Sequence, residues 1–331
     1  MTKKKIILTF DYELYLGKDS GTIEKCMLEP TDKILAIFKK YDAKGLFFVD
    51  ATFLTVLKKD YFEGYQKVKN QILDILKNGS AVGLHIHPHW IDSYMISENR
   101  WSFKSYKNFR IHNLPKEDIS TLIKNSFYVL NNICQEFSKE YKIDSFRAGG
   151  WCVQPFELLK EDLKNIGIKY DFSVLPDLKK DNLPKHYYDY KKAPHKDFWK
   201  FEDDVLKEDK NGCFIEVPMT IVKMNILEVL KLKKQIKGQQ TIGDGKGADD
   251  SSSSLMGKIK KLKPFMRYTL SSDYMTLDMF QNNIKSSDKS FLVYAAHPKN
   301  FSEESFKVLE YVCNNYNTYN YKEIKIDEEV H

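Results

Sequence analysis

Short apolar runs alternate with amphipathic segments along the chain, and this alternation predicts strands and helices. Seven runs are rich in β-branched and aromatic residues and are bounded by charged or glycine-containing turns, which is typical of buried strands. They cover residues 5–12, 45–49, 80–87, 144–148, 168–174, 213–218 and 291–296. Helical spacing of apolar residues predicts helices over about 30–40, 61–77, 116–140, 155–166 and 302–315. Residues 321–326 read as a short final strand.

Strands that alternate with helices predict βαβ units and a parallel sheet. About seven such units favour one α/β barrel over two separate domains, so we expect a single domain over residues 1–331. Residues 91–115 read as a polar, aromatic excursion, and 176–211 as a long surface loop. Residues 219–270 form a basic, partly low-complexity insertion. Its flanks at 227–237 and 256–263 are either solvated or amphipathic helices that contact an anionic membrane.

Composition narrows the class of protein. Hydrophobic residues make up 42% of the chain, enough for a large core, and the net charge of +6 is small for 331 residues. No nucleic-acid-binding motif accompanies that charge. The five cysteines are far apart and include no CxxC pair, which favours a reduced compartment. The apolar run Ile6–Phe10 is too short for a signal sequence, so we expect a cytoplasmic protein.

Three of the eight histidines, His85, His87 and His89, lie within five residues at the end of the third predicted strand. Imidazole nitrogens held on a stiff element are ligands that divalent metals prefer. On a regular strand all three would share a face. Because Pro88 cannot donate to a sheet ladder and turns the chain, the sequence leaves open which pair converges.

Other polar residues also follow predicted strands. Asp11 and Glu13, two apart at the end of the first strand, would share one face, so one could bind a metal while the other accepts a proton. Arg147 precedes a glycine turn and could clamp a carboxylate. Asp171 lies among apolar residues and needs a cationic partner, and His297 ends the seventh strand as a candidate general acid. The remaining histidines read as surface residues: His112, His186, His195 and His331.

Five motifs in this order resemble those of the polysaccharide deacetylases of the NodB-homology type, carbohydrate esterase family 4. They are Thr9-Phe-Asp-Tyr-Glu13, Gly83-Leu-His-Ile-His-Pro-His89, Phe146-Arg-Ala-Gly-Gly-Trp151, Ile168-Lys-Tyr-Asp-Phe172 and Ala295-Ala-His-Pro298. The resemblance runs from about residue 5 to 326, without 176–212 and 219–270. It implies a distorted (β/α)7 barrel resembling a TIM barrel, and a divalent metal, usually zinc, with nickel, cobalt or iron as alternatives.

The resemblance also implies site roles. Asp11 would be the catalytic base, tethered by Arg147, and His297 would protonate the leaving amine. His85 and His89 would be metal ligands, and Asp171 would orient or tune a member of the set.

The chain departs from the family pattern at the metal carboxylate. The family's second aspartate is Tyr12 here, so we assign Glu13 as the carboxylate ligand, with Asp11 as an alternative. His87 could replace His89. The third motif also lacks its proline.

The function that follows is hydrolysis of an acetyl group, N-acetyl before O-acetyl, from a sugar of a glycan or of a nucleotide- or lipid-linked precursor. An allantoinase-like hydrolase of another carbon–nitrogen bond is an alternative. A second alternative is a glycan-binding pseudoenzyme on the same barrel, although binding alone would need neither a base nor an acid.

Overall fold

The structure is a computed structural model that describes residues 4–238, 240–247, 265–324 and 326. In chain order its strands are β1 (Lys5–Tyr12), β2 (Leu46–Asp50), β3 (Ala81–Ile86), β4 (Ser93–Ser97), β5 (Arg100–Phe103), β6 (Ser145–Ala148), β7 (Tyr170–Asp171), β8 (Lys179–Asn182), β9 (His186–Asp189), β10 (Trp199–Phe201), β11 (Phe214–Glu216), β12 (Ile221–Asn225), β13 (Phe265–Thr269), β14 (Phe291–Ala296) and β15 (Asn317–Thr318). Its α-helices are α1 (Glu29–Tyr41), α2 (Ala51–Asp60), α3 (Phe62–Lys77), α4 (Lys116–Phe137), α5 (Glu157–Asn165), α6 (Ile226–Gly238), α7 (Leu277–Ser286) and α8 (Glu303–Asn315).

Seven parallel strands form one curled sheet in the order β14-β1-β2-β3-β6-β7-β11. The short strand β10 pairs antiparallel with β11, and β15 pairs with β1. Instead of a ladder between β11 and β14, single bonds cross the opening in the described part of the chain. Thr220 N donates to Val293 O at 3.1 Å, and Ala295 N donates to Leu270 O at 3.1 Å. The predicted distorted (β/α)7 barrel is confirmed, with its seven parallel strands at the predicted places.

Alternating side chains of β1 separate two apolar layers. Phe10 points outward, where its ring centroid lies 5.9 Å from that of Phe38 on α1. Ile7 points inward and packs in a second cluster with Phe48 of β2. Burying an aromatic or aliphatic side chain of this kind stabilises the fold by about 1.5–3 kcal/mol. The same period of two directs Asp11 into the barrel, as predicted.

The structure differs from the predictions in several connecting segments. Helix α2 was not predicted, because it begins directly after β2, with the Asp50 side chain accepting from Phe53 N at 3.3 Å. Helix α7 was also not predicted. The predicted strand over 321–326 is wrong: Tyr321–Glu323 is a 3₁₀ turn, and β15 lies just before it. The two predicted excursions contain the hairpins β4–β5 and β8–β9.

The insertion contains ordered elements. Strands β12 and β13 pair antiparallel in a two-stranded sheet, and α6 covers the predicted helix over 227–237. The predicted helix over 256–263, and the serine run before it, lie outside the described residues. Within the described ranges, no helix combines the length and the apolar character needed to cross a membrane.

Candidate active site

The carboxyl ends of the parallel strands bring the predicted residues together on one side of the barrel. Asp11 and Glu13 lie at the end of β1, and His85 lies on β3 in register with Arg147 of β6. His297 follows β14, which pairs with β1. Four of these side chains are at most 5% exposed, so their charges interact in a site largely shielded from water. They are Asp11, Glu13, His85 and Arg147.

Glu13, His85 and His87 form a compact group of ligand atoms. Glu13 Oε2 lies 2.7 Å from His87 Nε2 and 3.3 Å from His85 Nε2, and the two Nε2 atoms are 2.9 Å apart. In the part of the chain that the structure describes, this is the one group of three such residues that could hold a metal. Two imidazole nitrogens and one carboxylate oxygen are a donor set of catalytic zinc sites, so these residues fit a divalent ion.

A backbone contact orients His85. His85 Nδ1 lies 2.7 Å from the carbonyl oxygen of Arg147, so Nδ1 carries the proton that this bond requires and Nε2 faces the group. Burial lowers the pKa of His85, but the hydrogen bond to Glu13 and the charge of Asp11 outweigh it and raise that pKa to about 9.

His89 is not part of the group. Pro88 begins a 3₁₀ turn, which takes His89 off the strand face and into an aromatic cluster. Its ring stacks on Phe109 with centroids 5.2 Å apart and planes 2° apart. Burial and the nearby His87 hold the pKa of His89 well below its ordinary value, so its ring is neutral. The predicted grouping of His89 with Glu13 and His85 is therefore corrected, because His87, the alternative, occupies that position.

Arg147 holds Asp11. Its Nη1 donates to Asp11 Oδ1, its Nη2 donates to Thr9 Oγ1 at 2.8 Å, and its Nε donates to Phe172 O at 3.1 Å. Burial alone would raise the pKa of Asp11, but Arg147 and the nearby imidazoles hold that pKa below its ordinary value. Asp11 is therefore an oriented, ionised carboxylate, as the role of a general base requires.

His297 is oriented by Asp273, a residue that the sequence motifs did not indicate. Asp273 Oδ2 lies 2.7 Å from His297 Nδ1, and Asp273 Oδ1 accepts from the backbone N–H of His297 at 2.9 Å. His297 Nε2 faces the site, 3.4 Å from Asp11 Oδ2. Burial lowers the pKa of His297, but Asp273 outweighs it and the pKa is raised. The sequence offered no signal for Asp273 beyond an acid between serines and a tyrosine, outside the five motifs.

Lys299 is a second residue that the sequence did not reveal. Its Nζ is buried and donates to Glu13 Oε1 at 2.7 Å and to Leu14 O at 2.8 Å. Burial would raise the pKa of Glu13, but Lys299 and His87 hold it well below its ordinary value. The ammonium group engages Oε1 and leaves Oε2 for the histidines.

Tyr12 lies on the other face of β1. Its hydroxyl is buried among the helices and donates to Gln71 Oε1 at 2.7 Å. The residue that replaces the family's second aspartate is therefore a core residue, and the acidic side chain on the inner face is Glu13.

Asp171 of β7 pairs in register with Phe146 of β6, next to Arg147. Its register partner on β11 is Glu216, and Ser173 Oγ donates to its Oδ1 at 2.6 Å. Glu216 Oε1 accepts from Val174 N at 3.0 Å. Burial and the charge of Asp171 raise the pKa of Glu216 well above its ordinary value, and burial raises the pKa of Asp171, which favours a proton held between the two carboxyls. The charge of Arg147, the kind of cationic partner that was expected, also acts on Asp171, beside the carboxyl of Glu216.

No family profile and no curated protein match the chain. Solved structures do resemble it. A candidate polysaccharide deacetylase from Mycobacterium smegmatis has a TM-score of 0.51 at 11% identity, over 100% of this chain and 93% of that chain. A 4-alpha-glucanotransferase from Thermococcus litoralis has a TM-score of 0.49 at 14% identity, over 98% of this chain and 40% of that chain.

A family 4 carbohydrate esterase from Streptomyces lividans has a TM-score of 0.41 at 7% identity, over 95% of this chain and 88% of that chain. At 11% identity and a TM-score of 0.51, the similarity to the Mycobacterium smegmatis protein shows the fold alone. The chain therefore has the fold of the polysaccharide deacetylases, as its sequence motifs predicted.

Proposed function

We propose that the chain is a metal-dependent hydrolase that removes an acetyl group, first of all an N-acetyl group, from a sugar of a glycan or glycan precursor. One observation carries the proposal. The carboxylate of Asp11 and the imidazole of His297, each fixed by a neighbouring side chain, lie together at the edge of the group of metal ligands. His297 Nε2 lies 3.4 Å from Asp11 Oδ2 and 3.7 Å from Glu13 Oε1. A base, an acid and a ligand can thus act on one carbonyl group.

The residues have complementary tasks in such a reaction. A divalent ion, zinc before nickel, cobalt or iron, would be held by Glu13, His85 and His87 and would supply Lewis-acid chemistry when bound. Asp11 accepts a proton from the attacking water, because Arg147 keeps it ionised and aimed.

His297 takes the opposite role. It donates the proton on Nε2 to the leaving amine as the carbon–nitrogen bond breaks. Asp273 holds its ring and favours the protonated form. The carboxylate of Asp171 accepts from Ser173 and not from His297, so we assign it a supporting rather than a catalytic role.

The metal assignment is tested by measuring bound zinc in purified protein with alanine variants. Glu13→Ala, His85→Ala and His87→Ala should each lose the ion, whereas His89→Ala should retain it. His195→Ala is the matched control, because His195 is a surface histidine with a 75% exposed side chain. Loss of zinc in His89→Ala with retention in His87→Ala would reverse the ligand assignment.

The reaction is tested by acetate release from N-acetylated sugars. Asp11→Asn should keep zinc and lose about 10²–10⁴-fold in turnover, the usual contribution of a general base. Loss of zinc in this variant would mean that Asp11 is itself a ligand. Hydrolysis without acetate would favour the allantoinase-like alternative.

A glycan-binding protein without activity is the second candidate, favoured by the Lys299 ammonium that already neutralises Glu13. Sugar binding without bound zinc and without acetate release would support it.

We also propose that the insertion contacts an anionic membrane, where a cytoplasmic enzyme would meet lipid-linked precursors. Exposed apolar side chains cluster where α6 leaves β12: Ile226, Leu227, Leu230 and Phe265. Exposed lysines accompany them at 223, 231, 233 and 234. Such surfaces combine apolar burial with attraction to anionic lipid. Replacing Leu227 and Leu230 by serine should reduce binding to phosphatidylserine vesicles, whereas Phe62→Ser on α3 should not; equal binding would refute the contact.

A further inference from the structure

A glycine-rich segment of the insertion crosses the face of the barrel that carries the site. We call residues 241–247 the strap. Ile242 N donates to Phe301 O at 2.8 Å, in the turn region after β14. Lys246 N donates to Asp19 O at 2.8 Å, in the loop after β1. The strap therefore joins the two loops that follow the central strands of the site.

Asp244 anchors the middle of the strap. Its Oδ1 accepts from the backbone N–H of Thr22 at 2.9 Å, and its Oδ2 accepts from the Arg100 guanidinium. Arg100 also donates to Asp19 Oδ1 at 2.9 Å. Two carboxylates thus share one arginine, which fixes the strap to the β4–β5 hairpin.

The glycines of the strap are required by close approach. A Cβ atom on Gly243 would lie 2.3 Å from the carbonyl oxygen of Lys299, and one on Gly245 would lie 2.5 Å from the Tyr15 ring. Gly243 N also donates to that Lys299 oxygen at 3.2 Å. The strap belongs to a stretch that reads as low-complexity sequence, yet it packs closely against its neighbours. It contacts Lys299, the residue that donates to Glu13.

The strap forms part of the wall of a cavity beside His297. The cavity has a volume of about 400 Å³, within the roughly 300–1,000 Å³ of small-ligand pockets. Thr241 of the strap lines it, together with Trp151, Thr269, Ser271, Tyr274 and Asn300. Hydroxyl and amide groups around one indole ring suit a sugar, which offers hydroxyls at its edge and an apolar face.

We propose that the strap closes one end of the binding groove, so that the site accepts a single acetylated sugar at the end of a short chain. This inference rests on the proposed function and names its substrate class. A polysaccharide that is modified at internal sugars needs a groove open on both sides of the reacting unit. Here the strap occupies the face between the loops after β1 and β14, and one sugar fills the cavity next to His297.

The test compares N-acetylglucosamine with its β-1,4-linked pentamer. Acetate release is measured for each, and mass spectrometry identifies the deacetylated sugar of the pentamer. Asp244→Ala removes the side-chain anchor of the strap, its bonds with Thr22 and Arg100, without touching the catalytic groups. Glu310→Ala is the control, because it removes the ion pair with Lys40 on the far helices, where Nζ and Oε1 are 2.9 Å apart. Binding of both sugars to Asp11→Asn protein gives a readout that does not depend on turnover.

The wild type should deacetylate only a terminal sugar of the pentamer. Asp244→Ala should modify internal sugars and raise the pentamer-to-monomer ratio of kcat/KM by about tenfold, a difference typical of a removed steric contact. Deacetylation of internal sugars by the wild type, or an unchanged ratio in Asp244→Ala, would overturn the inference and leave the proposed function standing. A binding preference for the monomer that Asp244→Ala abolishes, without acetate release, would support the inference and refute the deacetylase. Neither binding nor acetate release would refute both.

Discussion

Replacing Lys299 by methionine should destabilise the metal-free protein and strengthen its response to zinc. Methionine retains an apolar stem of similar length but removes the ammonium that donates to Glu13 Oε1 at 2.7 Å and to Leu14 O at 2.8 Å. Glu13 then remains a buried carboxylate that has lost its nearest lysine.

The magnitude follows from burial. Both side chains of the pair are at most 8% exposed, and breaking a buried pair from one side costs about 3–5 kcal/mol. The free energy of unfolding of the metal-free variant should fall by that amount. Zinc would neutralise the same carboxylate, and in the variant it would meet no ammonium that repels it. A ligand that binds only the folded state stabilises it by about 2.7 kcal/mol at a hundredfold excess over Kd, and this gain should be larger in the variant because its Kd is lower.

The assay is urea denaturation of the wild type and Lys299→Met, with chelator and with a fixed excess of zinc. Lys40→Met is the control, because Lys40 forms an ion pair with Glu310 in which its side chain is 61% exposed, and exposed pairs contribute little. Equal stability of the metal-free wild type and Lys299→Met would refute the reasoning, as would a zinc-induced gain in the variant no larger than in the wild type.

Two further variants test the buried carboxyls. Because the folded-state pKa of Glu216 is raised, the stability that this carboxyl contributes should fall as pH rises above about 4.3, the usual pKa of glutamate. Glu216→Gln, which keeps a donor toward Asp171, should be progressively more stable than the wild type from pH 4 to 8 in urea denaturation; parallel pH curves would contradict this. Asp273→Asn should keep zinc but lower turnover, and it should move the basic limb of the pH–rate profile to lower pH, because His297 loses the carboxylate that raises its pKa; an unchanged profile would contradict this role.

Local sequence was sufficient for most of the barrel. Buried parallel strands need continuous apolar, β-branched runs, and the helices between them need apolar residues at helical spacing, so both leave patterns within a few residues. Helix α2 was not predicted from the sequence because no loop separates it from β2. The hairpin β8–β9 was not predicted because its strands, such as Lys179–Asn182, are polar and exposed.

The position of residues at strand ends also predicted much of the candidate site. Asp11, Glu13, His85, Arg147 and His297 each end or follow a parallel strand, and the carboxyl ends of such strands meet on one face. The period of two along β1 put both acids inside the barrel. These placements depend only on strand direction and residue spacing, which the sequence states.

Only the tertiary structure shows which side chains of the candidate site contact each other. The turn at Pro88 directs His87 into the site and His89 into an aromatic cluster, although both share the strand spacing. Asp273 and Lys299 act on His297 and Glu13 from segments outside the motifs. The Gly-Asp-Gly strap reads as low-complexity sequence. Its role is visible only from its contacts with the loops after β1 and β14. Strand periodicity is local, so it was enough to show which strand residues reach the carboxyl face. Their contacts with Asp273 and Lys299 depend on how the sheet curves and how the chain returns to the site, because these contacts join residues up to 286 positions apart.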